Sequence, residues 1–173
     1  MTLEQLYKEY KNLVFNLALS YTQNVEDAEE ITQDVFLSVY DNLNNFKQEA
    51  EVKTWIYRIA INKSLDCIKA RHRKKRWGIF NAMRLDDDDT QLHLPNFNHP
   101  GILMENQEAL QRIFSGINQL PENQKTAIVL LKIEEMSNKE AAPIMKLTPK
   151  ALESLFYRAK QNLQKILSQS EGL

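Results

Sequence analysis

The side chains best suited to chemistry lie in residues 46–76, where aromatic, cationic and amide groups recur at helical spacing. One stripe of such a helix, at steps of three or four residues, consists of Trp55, Arg58, Asn62 and Asp66. An indole ring, a guanidinium and an amide are groups that stack on bases and hydrogen-bond to them. The stripe therefore predicts contact with the unpaired bases of a nucleic acid.

A dense basic tail follows the stripe, with six lysines and arginines in residues 69–76. Cationic side chains at this density can neutralise backbone phosphates. A tryptophan on a helix is also typical of a hydrophobic core, and a basic run is typical of a solvated helix end that suits the helix dipole. These residues alone leave both interpretations open.

No set of side chains has the spacing of a catalytic or metal site. There is no Ser/His/Asp or Cys/His arrangement, and His72, His93 and His99 lie in or near the basic tail and an irregular segment without a scaffold for metal geometry. The four consecutive aspartates at 86–89 cannot all converge on one ion. We therefore expect no enzymatic activity, no cofactor and no metal.

The composition favours an all-α fold. The 173 residues include only four glycines and five prolines. A hydrophobic fraction of 43% supports globular cores, and no run approaches the roughly 20 apolar residues that a membrane-spanning helix needs. The N-terminus lacks an export signal, and the single cysteine, Cys67, fits a reducing compartment. We expect a cytoplasmic protein without membrane insertion.

The charges are segregated rather than in excess. The formal net charge is −1, with acidic clusters at 26–30 and 86–89 and the basic cluster at 69–76. Separate patches allow one partner to bind at each. Because the net charge is near zero, we expect the free protein to bind DNA weakly.

Apolar periodicity predicts three helices in a first domain, residues 1–76. The first covers 2–22, the second is capped by Asn24, and the third runs from about residue 52 to about 73. The core stripe of the second helix is Ala28, Ile31, Val35 and Val39. Phe36, Leu37 and Tyr40 remain around the rest of its surface, which indicates either a protein partner or crowding between two helices.

A linker at 77–103 separates this domain from a second one at 104–173. In the second domain, Ser137 and Glu140 form a capping-box pattern before a short helix at 138–145. A second cap at Thr148 precedes a long helix. A short helix, a tight turn and a longer helix are typical of a helix-turn-helix, although an ordinary helical hairpin has the same pattern.

Three segments together resemble the sigma factors of bacterial RNA polymerase, specifically the extracytoplasmic-function (ECF) class. Residues 27–46 resemble the polymerase-binding helix of that family. Residues 54–66 resemble the helix that reads the promoter −10 element, and residues 120–163 resemble the domain that reads the −35 element. The order of the segments and the intervening linker match as well.

The resemblance implies a role for each group of residues. Core polymerase would be bound by Gln33, Asp34, Phe36 and Leu37. The melted −10 strand and the duplex upstream of it would be bound by Phe46, Lys53, Thr54, Trp55, Arg58, Asn62, Arg71, Arg73 and Lys74. The major groove at −35 would be entered by Thr148, Lys150, Glu153, Ser154, Tyr157 and Arg158.

The implied function is that of a transcription initiation factor that works within a polymerase holoenzyme, with core polymerase and promoter DNA as partners. An anti-sigma factor is a further expectation of the family. The residues themselves leave two alternatives open: a stand-alone helix-turn-helix regulator, which would leave residues 46–76 unexplained, and an interaction adaptor whose basic run is only a solvated face.

Overall fold

The computed structural model describes residues 2–43, 46, 51–82 and 107–170, with only the backbone given for 75–82, 107 and 170. All regular elements in these ranges are helical, as predicted. The helices are α1 (Leu3–Thr22), α2 (Val25–Asn42), α3 (Val52–Ala82), α4 (Gln107–Asn118), α5 (Glu122–Ile128), α6 (Asn138–Met145) and α7 (Pro149–Ser170), with a π-helical segment, Val129–Ile133, directly after α5.

Local hydrogen bonds fix where α1 and α2 begin and end. The side chain of Thr2 accepts from the backbone of Gln5 in a capping box at the start of α1. Gln23, at the end of α1, has a left-handed backbone with φ 53°. Asn24 then caps α2, as predicted, because its Oδ1 accepts from the backbone N–H of Asp27 at 2.8 Å.

Helices α1, α2 and α3 pack around one core, and the predicted stripe of α2 is fully buried in it. Phe36 is buried rather than at the surface where the sequence pattern placed it: its side chain is only 5% exposed and lies edge-on to the ring of Tyr7, with ring centroids 4.9 Å apart. Crowding by α1 therefore accounts for Phe36. Leu37 and Tyr40 do lie at the surface, each 63% exposed.

Helix α3 is longer than predicted and ends at Ala82 rather than near residue 73. Gly78 lies within this helix, and an isolated glycine inside a helix costs only about 1 kcal/mol and is tolerated. The first residues assigned to the linker are therefore helical. The four aspartates, His93, His99 and the rest of that linker lie outside the described residues.

The second domain contains the predicted helix-turn-helix, formed by α6 and α7. Ser137 and Glu140 cap each other's backbone at the start of α6, at 3.3 and 2.9 Å. Lys146 ends the helix in a left-handed conformation with φ 56°. Thr148 Oγ1 then accepts from the backbone N–H of Ala151 at 3.2 Å and starts α7.

The capping box at the start of α6 leads to a prediction about stability. Replacing Ser137 with alanine removes the side-chain acceptor for the Glu140 N–H, so the free energy of unfolding should fall by about 1 kcal/mol. The same hydroxyl lowers the pKa of the Glu140 carboxyl by hydrogen bonding to it, so the variant should also raise that pKa. Urea denaturation measures the first change and NMR titration the second. Ser154→Ala, which removes no cap, is the control.

The two domains pack against each other in one continuous core. Ala127, Leu130 and Leu152 of the second domain belong to the same buried cluster as Leu17 and Ile56 of the first. The sequence pattern predicts no arrangement of the two domains. Among the described residues, no helix combines the length and the apolar character needed to cross a bilayer.

Candidate nucleic-acid and polymerase interfaces

The predicted base-reading stripe lies at the surface of the first turns of α3. The half-buried ring of Trp55 stacks on Phe46, with centroids 4.6 Å apart and planes inclined by 27°. Asn62 is exposed and Arg58 is half-buried. The stripe thus presents a stacked aromatic pair followed by a guanidinium and an amide, the groups needed to stack on a base and bond to its edge.

Arg58 already has hydrogen-bond partners in the second domain. Its Nη2 donates to the backbone carbonyl of Pro143 at 2.6 Å and its Nε to the carbonyl of Ile144 at 3.3 Å. At the start of α3, just before Trp55, Lys53 is exposed and Thr54 is half-buried. The group expected to contact DNA is therefore bound within the chain in this arrangement.

Among the described side chains of the basic tail, two already have partners within the chain. Arg71 forms an ion pair with Asp27 and donates to the carbonyl of Thr22 at 3.4 Å, so it joins α3 to the α1–α2 turn. Lys69 pairs with Glu122 at 2.9 Å. Arg73 and Lys74 are exposed. Among the predicted DNA contacts of the tail, these last two are the ones positioned to meet a phosphate.

The six residues predicted to enter the major groove form one exposed face of the helix-turn-helix. They are Thr148, Lys150, Glu153, Ser154, Tyr157 and Arg158. Tyr157 is 64% exposed, and local bonds along α7 order this face: Ser154 Oγ donates to the carbonyl of Lys150 at 3.1 Å. A cationic and hydroxyl-bearing helix face of this kind suits base edges and phosphates.

The predicted polymerase-binding surface is exposed in three of its four residues. Gln33 and Leu37 face solvent, and Asp34 makes an exposed ion pair with Lys63 at 3.7 Å. Phe36 instead supports this surface from within the core. Tyr7, which was not among the predicted residues, is 47% exposed beside Phe36. The available signal was an aromatic residue off the apolar stripe of α1.

A polar cluster joins the domains, and sequence reasoning missed it entirely. Lys125 is only 3% exposed, and its ammonium donates to the carbonyl of Tyr21 at 3.2 Å and to Asn118 Oδ1 at 2.5 Å. Tyr21 in turn donates to Thr126 Oγ1 at 2.8 Å. Burial lowers the pKa of Lys125 to about 8. We call Tyr21, Gln23, Asn118, Lys125 and Thr126 the interdomain polar cluster.

A second polar contact lies beside Arg58. Tyr57 donates its hydroxyl to Glu134 Oε2 at 3.1 Å. Desolvation raises the pKa of the Glu134 carboxyl, and desolvation together with the nearby Glu134 charge raises the pKa of Tyr57. The described residues include no group of three His, Cys, Asp or Glu side chains placed to hold a metal ion.

Comparison with known proteins identifies both domains. The family model "Sigma-70 region 2" matches residues 6–77, and "Sigma-70, region 4" matches residues 110–163. The first match contains the stripe of α3 and its basic tail. The second contains the helix-turn-helix and its exposed face.

Relatives and solved structures agree with these matches. The chain is 28% identical over 164 residues to the ECF RNA polymerase sigma factor SigM of Bacillus subtilis, covering 95% of this chain and 94% of the relative. It is 29% identical over 159 residues to the ECF sigma-E factor of Haemophilus influenzae, covering 92% and 84%.

The fold is similar to that of CnrH in complex with the cytosolic domain of CnrY, with a TM-score of 0.63, 23% identity and coverage of 96% and 88% of the two chains. It is also similar to sigma factor RpoE in complex with the anti-sigma factor NepR from Bartonella quintana, with a TM-score of 0.61, 21% identity and coverage of 95% and 96%. The two family matches cover most of the chain in the order that the sequence predicted. The chain therefore belongs to the sigma-70 family of RNA polymerase sigma factors, in the extracytoplasmic-function class.

Proposed function

We propose that this sigma factor binds core RNA polymerase through α2 and directs it to promoters by reading the −35 element as duplex and the −10 element as melted non-template strand. The observation that carries this proposal is the stacked, partly exposed pair of Phe46 and Trp55 inside the region 2 match. A sigma factor is not an enzyme, so the whole effect must come from binding energy.

Capture of unpaired bases supplies the driving force for strand separation. Stacking of one base on an aromatic ring contributes roughly 1–3 kcal/mol, which offsets part of the cost of unstacking and unpairing. The chain has a net charge of −1, so it offers little general attraction for DNA. We propose that core polymerase supplies the remaining positive surface, while Trp55, Arg58 and Asn62 select the bases.

Recognition at −35 uses the exposed face of α7. Arg158 and Lys150 suit guanine edges or phosphates, Glu153 suits the cytosine amino group, and Tyr157 adds apolar contact. Thr148 lies at the start of this helix, and the free backbone N–H groups of the first helical turn also suit a phosphate. The face belongs to the part of the chain matched by region 4.

The polymerase-binding surface consists of Gln33, Asp34 and Leu37, and we extend it to Tyr40 and Tyr7. An exposed leucine and tyrosine on one helix, each 63% exposed, are atypical of a surface that faces only water. Aromatic residues are enriched at the centres of protein interfaces. This surface lies on α1 and α2.

We also propose an anti-sigma factor as a partner and the cytoplasm as the location. The solved RpoE structure has an anti-sigma factor bound to a sigma factor of this fold. Core polymerase and promoter DNA are found in the cytoplasm, and the composition of the chain fits a reducing compartment.

Run-off transcription tests the proposal. Core polymerase with this chain should give discrete transcripts from fragments of its genome, and neither component alone should give them. In a gel shift with the same duplex fragments at physiological salt, the free chain should bind at least about tenfold more weakly than the holoenzyme, because phosphate contacts dominate affinity. Tight duplex binding by the free chain, without transcripts, would instead favour a stand-alone helix-turn-helix regulator.

A further inference from the structure

The base-reading stripe of α3 ends in a carboxylate. Asp66 follows Asn62 by four residues and precedes Arg73 by seven, so the three side chains lie along one line of the helix. All three are exposed. The carboxylate of Asp66 therefore lies between the amide that we propose selects unpaired bases and the arginine positioned to meet duplex phosphates.

The lysines that could neutralise Asp66 are already paired with other carboxylates. Lys63 and Lys69 lie three residues to either side of it, a spacing at which ion pairs form along a helix. Lys63 instead pairs with Asp34 at 3.7 Å, and Lys69 pairs with Glu122 at 2.9 Å. Among the side chains that the structure describes, Asp66 has no ion-pair partner. An uncompensated carboxylate is thus exposed on a surface that otherwise offers cations and amides.

A carboxylate at this place opposes general binding to DNA. It repels the phosphates, whose contacts dominate affinity whatever the sequence. The repulsion is offset where the carboxylate accepts a hydrogen bond from a base, because charge-assisted hydrogen bonds are the stronger ones. In the major groove, guanine and thymine present acceptors and no donor, adenine presents an amino group beside the N7 acceptor, and cytosine presents an amino group alone. Cytosine is therefore the base that suits Asp66.

We infer that Asp66 determines promoter specificity by accepting a hydrogen bond from the N4 amino group of a cytosine, in the base pair at the upstream edge of the melted −10 segment. The inference rests on the proposed function, because it requires the promoter to follow the stripe from Trp55 to Arg73. The base is assigned to the paired side of that edge because Asp66 lies nearer than Asn62 to the residues that meet the duplex.

A promoter library tests this role. Holoenzymes are assembled from core polymerase and the native chain, Asp66→Ala or Asp66→Asn, and mixed with templates randomised over the base pairs immediately upstream of the melted segment. Open complexes are isolated at physiological salt and their templates are sequenced. Glu108→Gln removes the same charge at an exposed position of α4 and is the matched control. Because Asp66 is exposed, both variants should keep the fold, which circular dichroism checks.

We expect the native chain to prefer cytosine at one of these positions by about tenfold, the effect of one good contact with a base edge. Asp66→Ala should lose this preference. Asp66→Asn should change it to adenine, since an amide bonds to both N6 and N7 of that base. Preferences at the other positions should stay the same, and Glu108→Gln should match the native chain throughout.

The inference is overturned if the native chain shows no such preference for cytosine, a result that needs no variant. It is also overturned if both Asp66 variants bind all templates more tightly with the same preferences, because Asp66 would then only repel phosphates. A preference for guanine that depends on Asp66 would place the base in the melted strand, where its Watson–Crick edge is free, and would contradict the paired cytosine. Absence of open complexes with the native chain would contradict the proposed function itself, and the inference with it.

Discussion

Leu37→Glu is expected to weaken binding to core polymerase by at least about 30-fold, which corresponds to the 2 kcal/mol or more typical of an interface hot spot. Leu37 is 63% exposed in the free chain, so the substitution has little to disturb in the fold. In the complex the substitution would bury a carboxylate against a polymerase surface that is complementary to an apolar side chain. An unpaired buried charge is costly.

Competition for core polymerase against a labelled native chain measures this effect. Tyr157→Glu is the matched control, because Tyr157 is equally exposed, at 64%, but lies on the proposed −35 face. Tyr157→Glu should keep its affinity for core polymerase but fail to support transcription from promoters that depend on the −35 element. Equal polymerase affinity of Leu37→Glu and the native chain would remove α2 from the proposed interface.

Phe36 shows how the same surface could be predicted only in part. Sequence periodicity separates one face of α2 from another, and it correctly placed Val35 and Val39 in the core. It cannot show that the packing of α1 brings the ring of Tyr7 against Phe36, the residue that follows Val35. The width of a buried face depends on a neighbouring helix, so a direct polymerase contact by Phe36 is no longer proposed.

Helix ends were predictable because they are local. Asn24, Ser137 and Glu140 form caps with residues three positions away, and the structure confirms each of them. Arg71 is the opposite case. Its density of charged neighbours suggested phosphate binding, but its partner, Asp27, is distant in sequence and reaches it only through the packing of α2 against α3. An ion pair of this kind has no signature in the sequence.

The buried lysine marks the limit of prediction from sequence. Lysine is among the residues least often buried, and nothing around Lys125 in the sequence distinguishes it from the solvated lysines of the same domain. Its burial follows from the contact between the domains, which no periodicity describes. The resemblance of three segments identified the family, but it gave no arrangement for the domains that carry them.

Trp55→Leu is expected to reduce run-off transcription by about fivefold to 150-fold, since the loss of base stacking removes about 1–3 kcal/mol from the melted complex. Leucine keeps apolar bulk against the core, on which Trp55 partly packs, but it has no aromatic face. Trp55→Phe retains an aromatic face and should recover most of the activity. Binding to core polymerase should be unchanged in both variants, because the polymerase surface lies on α2.

A template that is already unpaired across the −10 region separates the two ways in which Trp55 could act. If it contributes by capturing a melted strand, Trp55→Leu should remain impaired on this template, because the stacking partner is still missing. If the side chain only supports the fold of α3, thermal unfolding should shift, and Trp55→Phe should be as impaired as Trp55→Leu. Full transcription by Trp55→Leu on both templates would show that the stacked pair with Phe46 does not bind the promoter.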